Sequence, residues 1–100
     1  MTATPIAKRA APLPGSQQAA VRRILVVDDE AAVRRLLRTL FEGEGYAVSE
    51  AASEIEVLAQ LSRPDLALVT LDLSLGGEDG LAVARAVRAR SAVPIIMVTA

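Results

Sequence analysis

Acidic residues follow two separate apolar runs of this chain, and these residues are the best suited to chemistry. The run at residues 24–27 ends in Asp28 and Asp29, and the run at residues 66–71 ends in Asp72. Two carboxylates about 4 Å apart repel each other by roughly 4 kcal/mol at an effective dielectric near 20. A cluster of this kind therefore stays ionised only around a cation. Oxygen ligands alone favour Mg²⁺, Mn²⁺ or Ca²⁺, and open positions for water and phosphate favour Mg²⁺.

Asp72 also has the chemistry of a nucleophile, because a carboxylate beside a bound Mg²⁺ can attack phosphorus and form an aspartyl phosphate. It opens a glycine-rich loop at residues 76–80, and a third apolar run, residues 94–98, ends in Thr99. The Thr99 hydroxyl could donate to a phosphoryl oxygen. A single Asp after a strand is most often a turn residue or a helix cap, but three such strand ends together favour a functional site.

Positioning these residues requires alternating strands and helices, and the sequence predicts them. Apolar residues at positions 33, 36, 37, 40 and 41 have the spacing of one helix face. Ser53 and Glu56 match the capping box that begins a second helix. A third helix is predicted from about Leu81 to Arg90. Strands are predicted at residues 23–27, 46–50, 66–72 and 94–98.

The resulting order, β-α-β-α-β-α-β, predicts an α/β fold with a doubly wound parallel sheet. Strands separated by helices imply right-handed crossovers and helices on both faces of the sheet. The carboxyl ends of parallel strands meet at one edge, which is where open α/β sheets bind ligands. If the first and third strands are neighbours, Asp28, Asp29 and Asp72 converge at that edge.

Composition limits the classes of function. One hundred residues, 52% of them hydrophobic, suit one small domain. The net charge of −1 gives no basic field for nucleic acid. The chain has no His and no Cys, which excludes histidine and thiolate metal sites and fits a reducing, cytoplasmic compartment. Residues 1–21, rich in Ala, Pro, Ser and Gln, are predicted to form a disordered tail. We expect no membrane span.

The segments at residues 24–30, 71–75, 78–80 and 94–100 resemble the receiver domain of bacterial two-component response regulators. The resemblance covers about residues 22–100. Residues 77–81 followed by residues 93–96 are most similar to receivers attached to winged-helix DNA-binding domains. The resemblance implies a receiver domain with flavodoxin-like topology over residues 22–100 and a role in signal transduction rather than an enzyme, with at most self-phosphorylation and autodephosphorylation chemistry.

Roles for individual residues also follow from the resemblance. It implies that Asp72 accepts a phosphoryl group from a histidine kinase or a phosphotransfer protein. It implies that Asp28, Asp29, Asp72 and the backbone carbonyl of Ser74 hold Mg²⁺. Thr99 would be the switch hydroxyl that moves toward the phosphoryl group.

Two features depart from the family pattern. Gly76 stands where the family usually has Pro, which predicts a more mobile loop. The family continues past Thr99 with a helix, a fifth strand bearing a Lys, and a final helix. We therefore expect a receiver that stops after its fourth strand, with DNA contacted only through a missing output domain. The apolar edge at residues 95–98 is predicted to pair with a second copy.

Two other functions remain open at this point. One is a Mg²⁺-dependent phosphohydrolase with an Asp nucleophile. Many such enzymes place a second acid two residues after the nucleophile, and Ser74 at that position counts against this function. The other is an interaction module that never takes up phosphate, which the missing Lys favours and the intact acidic trio opposes.

Overall fold

The computed structural model describes residues 21–98. Thr99 and nearly all of the predicted tail lie outside these residues. The strands are β1 (Arg23–Val27), β2 (Ala47–Ala51), β3 (Leu66–Asp72), β4 (Ser74–Leu75), β5 (Glu78–Asp79) and β6 (Ile95–Val98); the helices are α1 (Ala31–Gly43), α2 (Glu54–Gln60) and α3 (Gly80–Arg88).

Four of the strands form a parallel sheet in the order β2-β1-β3-β6, which confirms the predicted α/β fold. The chain moves outward in one direction from β1 to β2 and then crosses back to β3 on the other side of β1. This reversal of direction is the topological switch point of an open α/β sheet, where ligands bind. The switch point lies between β1, which Asp28 follows, and β3, which ends in Asp72.

The sheet is covered on both faces. Side chains alternate between the two faces along a strand, so the continuous apolar run of β1 supplies both cores. Ile24 and Val26 pack with Leu37 and Phe41 of α1 on one face. On the opposite face the core is formed by α2, α3 and the sheet, and it includes Leu25, Val27, Val57, Val69, Leu71, Val83 and Val87. Helices on both faces confirm the doubly wound architecture.

Helix α1 buries less of its apolar stripe than its periodicity predicts. Leu37 and Phe41 pack against the sheet, but Leu36 and Leu40 are more than half exposed. The helix rests on β1 and β2, and one row of its side chains is enough to make that contact. Within residues 21–98, fewer apolar side chains of α1 are therefore buried than the width of its apolar stripe predicts.

The ends of α2 and α3 are set by side-chain caps. Ser53 Oγ accepts the Glu56 amide at 3.4 Å, as the capping box predicts. The reciprocal bond differs from the standard pattern, because Glu56 Oε1 accepts the amide of Ala52 at 2.7 Å. The amide of Leu81 donates to Asp79 Oδ1 at 3.0 Å, so α3 begins one residue earlier than predicted.

The glycine-rich loop forms a small hairpin that the sequence analysis did not predict. Strands β4 and β5 pair antiparallel across a two-residue connection, Gly76 and Gly77. Gly76 has a φ of 61°, a conformation that glycine adopts without strain. A positive φ at the first central residue, Gly76, but not at the second, Gly77, is the mark of a type II′ hairpin turn. Proline, with its φ near −65°, cannot adopt the backbone conformation that Gly76 has in this turn.

Replacing Gly76 by Ala should therefore destabilise the fold by about 1–3 kcal/mol, the range for a non-glycine residue held in a sparsely populated backbone region. Gly77→Ala is the matched control, because a Cβ at Gly77 would meet no atom within 4 Å and its φ is not positive. We expect the control to change stability by less than about 0.5 kcal/mol. Urea unfolding of both variants measures the difference, and equal stabilities would contradict the assigned turn.

Strand β6 is one of the two edge strands of the sheet among residues 21–98, and Ile96 and Val98 are exposed on it. The pairing of this edge with a second copy stays a prediction. In the same part of the chain, no helix combines the length and the apolar character that crossing a membrane requires.

Candidate functional site

The acidic residues meet because β1 and β3 are neighbours in the sheet. Their register pairs Val27 with Leu71, so Asp28, the first residue after β1, lies beside Asp72, the last residue of β3. Asp29 comes next in the loop that leads into α1. The structure therefore brings together the three acids that the sequence analysis selected.

Each of the three acids offers one carboxylate oxygen to a common point. These oxygens all lie within 4.8 Å of one another. Asp28 is buried, Asp72 is half-buried and Asp29 is exposed. An all-carboxylate donor set that is open on one side suits a hard divalent cation such as Mg²⁺. The residues present thus fit such an ion.

Asp28 is the most constrained member of the trio. It is 8% exposed, and its Oδ1 accepts the Glu30 amide at 2.9 Å. Burial raises the pKa of its carboxyl above 3.8, and the nearby charges of Asp72 and Asp29 raise the pKa further. The Glu30 hydrogen bond and the charge of Arg34 act in the opposite direction without cancelling the rise. A bound cation would relieve the repulsion among the carboxylates.

Asp72 is the last residue of β3 and lines a cleft. The hairpin that follows β3 contacts its side chain. The amide of Ser74 donates to Asp72 Oδ1 at 3.2 Å. The cleft has a volume of about 580 Å³. Its lining includes all three acids and Ser74, and the full set is Asp28, Asp29, Glu30, Val33, Asp72, Leu73, Ser74, Gly76 and Val98. There is room beside Asp72 for a phosphoryl-sized group.

Gly80 shapes the backbone under Asp72, a role that the sequence analysis missed. The amide of Gly80 donates to the carbonyl of Leu73 at 2.9 Å. A Cβ at Gly80 would lie 2.3 Å from the carbonyl oxygen of Asp72 and 2.7 Å from Leu73 Cα. The start of α3 therefore touches the main chain of the site directly. The glycine-rich character of the loop was the available signal, but it did not single out this position.

Three further side chains support the site and were also missed. Arg34 Nη1 donates to the backbone carbonyl of Asp28 at 2.7 Å, and its Nε donates to Glu50 Oε1 at 3.0 Å. The Glu54 amide donates to Glu78 Oε1 at 2.9 Å, which joins β5 to the start of α2. No spacing in the sequence marks these contacts, because each joins elements that meet only after folding.

The raised pKa of Asp28 has a consequence for stability. Its native state binds a proton more tightly than the unfolded chain does, so its contribution to stability is full below pH 3.8 and is lost as the pH rises through the native pKa. Without divalent cations, Asp28→Asn should therefore be more stable than wild type at pH 7. The advantage should fade below pH 3.8. Urea unfolding of both proteins in EDTA, from below pH 3.8 to pH 7, measures this difference in stability.

Glu50→Gln is a control that should change the stability at pH 7 in the opposite direction to Asp28→Asn. Burial opposes the charged form of Glu50, but hydrogen bonds from Arg38 and Arg34 outweigh burial and lower its pKa below 4.5. Glu50 thus contributes stability above pH 4.5 that is lost as the pH falls, and Glu50→Gln should be less stable than wild type at pH 7. An Asp28→Asn protein that is less stable than wild type at pH 7 would contradict the conclusion that burial and carboxylate repulsion disfavour the charged form of Asp28.

Comparison with known proteins identifies relatives of this site and fold. The family model described as the response regulator receiver domain matches residues 24–100. The transcriptional regulatory protein ResD of Bacillus subtilis is 49% identical over 78 residues, which are 78% of this chain and 32% of ResD. The chain thus spans about a third of the length of this curated relative.

Solved structures agree with the sequence matches. The crystal structure of the histidine kinase ThkA in complex with the response regulator TrrA matches with a TM-score of 0.72 and 38% identity, over 80% of this chain and 70% of that chain. A response regulator from Burkholderia pseudomallei, crystallised with a phosphorylated aspartic acid and a calcium ion, matches with a TM-score of 0.72 and 28% identity, over 78% of this chain and 46% of that chain.

These matches support a regulatory role and favour neither the phosphohydrolase nor the module that takes up no phosphate. The family model covers most of the chain, and the parallel sheet and the acidic trio at its switch point agree with it. The chain therefore belongs to the response regulator receiver domain family.

Proposed function

We propose that this chain is a phosphorylation-controlled receiver in which Asp72 accepts a phosphoryl group. Asp28, Asp29, Asp72 and the backbone carbonyl of Ser74 would hold Mg²⁺. The observation that carries the proposal is the convergence of three carboxylate oxygens within 4.8 Å of one another at the ends of neighbouring strands. Burial and, to a lesser extent, repulsion from Asp72 and Asp29 raise the pKa of Asp28, and a cation at this place would offset both effects.

Asp72 supplies the nucleophile. One of its carboxylate oxygens attacks the phosphorus of a phosphohistidine donor, the P–O bond forms, and the P–N bond breaks with its electron pair passing to the imidazole nitrogen. The Ser74 amide engages Oδ1, so Oδ2 is the candidate attacking atom. Bound Mg²⁺ would offset the negative charge that develops on the transferred group. The chain's own task is to orient the Asp72 carboxylate.

Thr99 remains the candidate switch hydroxyl. It lies outside the described residues, but the register of β3 and β6 pairs Asp72 with Val98. The carbonyl of Val98 accepts the Leu73 amide at 3.4 Å. The residue after Val98 thus follows a strand end that lies beside Asp72, which supports a role for its hydroxyl near the phosphoryl group.

The proposed donor is a histidine kinase or a phosphotransfer protein. The structural relative TrrA was solved in complex with a histidine kinase, and this chain has no His of its own to carry the phosphoryl group. ResD is named as a transcriptional regulator, which supports a transcriptional output, with DNA contacted through an output domain. We propose a cytoplasmic location on the same grounds.

Incubation of the chain with acetyl phosphate and Mg²⁺, followed by intact-mass analysis, tests the proposal. We expect one added phosphoryl group, and we expect EDTA to prevent the addition. Turnover of general phosphomonoesters without an adduct would favour the phosphohydrolase. A chain that takes up no phosphoryl group and hydrolyses nothing would favour the interaction module.

A further inference from the structure

Arg34 connects the acidic site to the neighbouring strand, and nothing in the chemistry described so far uses it. Its guanidinium donates to Asp28 on one side and to Glu50 on the other. We infer that Arg34, held in place by Glu50, is a positioning residue that sets the orientation of Asp28 for cation binding. This inference rests on the proposed function, because it concerns the same Mg²⁺ site.

The main chain of Asp28 is held at both of its polar groups. Its amide donates to the carbonyl of Ala51 at 3.1 Å, which continues the pairing of β1 with β2. Its carbonyl accepts Arg34 Nη1 at 2.7 Å. A buried carbonyl beyond the end of a strand needs a partner, and a side chain provides it here. The carboxylate of Asp28 accepts the backbone amide of Glu30. Of these three hydrogen bonds to Asp28, the one from Arg34 is therefore the only one that a side chain provides.

Glu50 fixes Arg34 in turn. Glu50 lies on β2 opposite Val26 of β1, and both partners of the ion pair are largely shielded from water, with 18% and 26% of their side-chain surfaces exposed. The lowered pKa of Glu50 keeps it ionised at neutral pH. The planar guanidinium fork holds two acceptors in a fixed geometry, whereas the ammonium of Lys is a single point charge.

The Arg34→Lys variant separates two effects of Arg34 on Mg²⁺ affinity, that of its hydrogen-bond geometry and that of its positive charge. Removing the positive charge would by itself strengthen cation binding at a nearby acidic cluster, since like charges repel. Lysine keeps the charge but cannot hold Glu50 and the Asp28 carbonyl together. A weaker Mg²⁺ affinity in Arg34→Lys therefore reports lost geometry.

Arg38→Lys is the matched control on the same helix. Arg38 Nε also pairs with Glu50, at 2.7 Å, but the backbone carbonyl that Arg38 contacts is that of Val48 rather than that of Asp28. A general weakening of the α1–β2 contact would change the Mg²⁺ affinity of both variants, whereas a positioning effect on Asp28 would change that of Arg34→Lys alone.

Calorimetric titration of the full chain with Mg²⁺, together with urea unfolding in EDTA, tests the inference. Residues that orient metal ligands typically change metal affinity by 10–100-fold, so we expect Arg34→Lys to raise the Mg²⁺ Kd by about tenfold or more. Arg38→Lys should stay within about twofold of wild type even if both variants lose similar stability. Equal Kd values for Arg34→Lys and wild type, or equal losses in both variants, would overturn the positioning role.

A second variant covers the case in which Arg34→Lys does not fold. Glu50→Gln leaves Arg34 in place but removes its anchor, and we expect a smaller rise in the Mg²⁺ Kd; an unchanged Kd would then overturn the role. Failure of the proposed function looks different, because wild type itself would bind no Mg²⁺ and would gain no phosphoryl group from acetyl phosphate. That result would overturn the positioning role as well.

Discussion

Asp72→Asn should abolish the phosphoryl adduct that we expect wild type to form with acetyl phosphate and Mg²⁺. The amide of Asn has neither the charge nor the nucleophilic oxygen of a carboxylate, so no acyl phosphate can form at this position. The carbonyl oxygen of Asn can still accept the Ser74 amide as Asp72 Oδ1 does, so the fold should be retained. Intact-mass analysis measures the adduct, and circular dichroism checks the fold.

Asp79→Asn is the matched control for this experiment. Asp79 belongs to the same loop and caps α3 through its Oδ1. Asparagine is an equally good helix cap, so the control removes one nearby negative charge and nothing else. We expect its adduct to match that of wild type. A normal adduct on Asp72→Asn, or its loss in both variants, would show that the phosphoryl group is carried elsewhere or that net charge alone controls the reaction.

Gly80→Ala should have the largest effect on stability among the Gly→Ala substitutions at residues 21–98. The new Cβ would lie 2.3 Å from the carbonyl oxygen of Asp72, 2.7 Å from Leu73 Cα and 2.8 Å from the Leu73 carbonyl oxygen. All three are backbone atoms, which cannot move aside as the end of a flexible side chain can. We expect a loss of about 3 kcal/mol or more, at or beyond the upper end for overpacking. A small domain has only about 5–15 kcal/mol of stability in total.

The control for Gly80→Ala is Gly43→Ala at the end of α1, where a Cβ would meet no atom within 4 Å. Alanine has the higher helix propensity, so this variant should be neutral or slightly more stable. Urea unfolding compares the two. Phosphorylation of Gly80→Ala in native buffer should also fall, because relief of the clash requires the backbone at Asp72 to move. Stability within about 1 kcal/mol of wild type would mean that α3 approaches the site less closely than the structure indicates.

The site was predictable from the sequence to the extent that it depends on strand ends. Asp28 and Asp72 each terminate an apolar run that is long enough for a strand and too short for a helix. The alternation of strands and helices predicted that the strands are parallel, and the convergence required in addition that the first and third strands be neighbours. The role assigned to Thr99 and the tail at residues 1–21 remain predictions, since both depend on residues outside the described part of the chain.

The supporting contacts were not predictable in this way. Arg34 lies off the apolar stripe of α1, a position typical of a solvated side chain, yet it reaches both Asp28 and Glu50. Gly80 was one glycine among several in its loop, and its importance comes from the approach of α3 to Leu73. The hairpin of β4 and β5 is too short to produce a hydrophobic period of its own.

The amino-acid sequence by itself determined the alternation of strands and helices, the acids at the strand ends and the membership in the receiver family. These features are local, because apolar periodicity and the residues that end a strand or a helix act within one element. Only the tertiary structure decided which strands are neighbours, how much of α1 is buried, and which side chains hold the acidic site. Those outcomes depend on how separate elements dock, and periodicity specifies which face of an element is apolar but not what that face will contact.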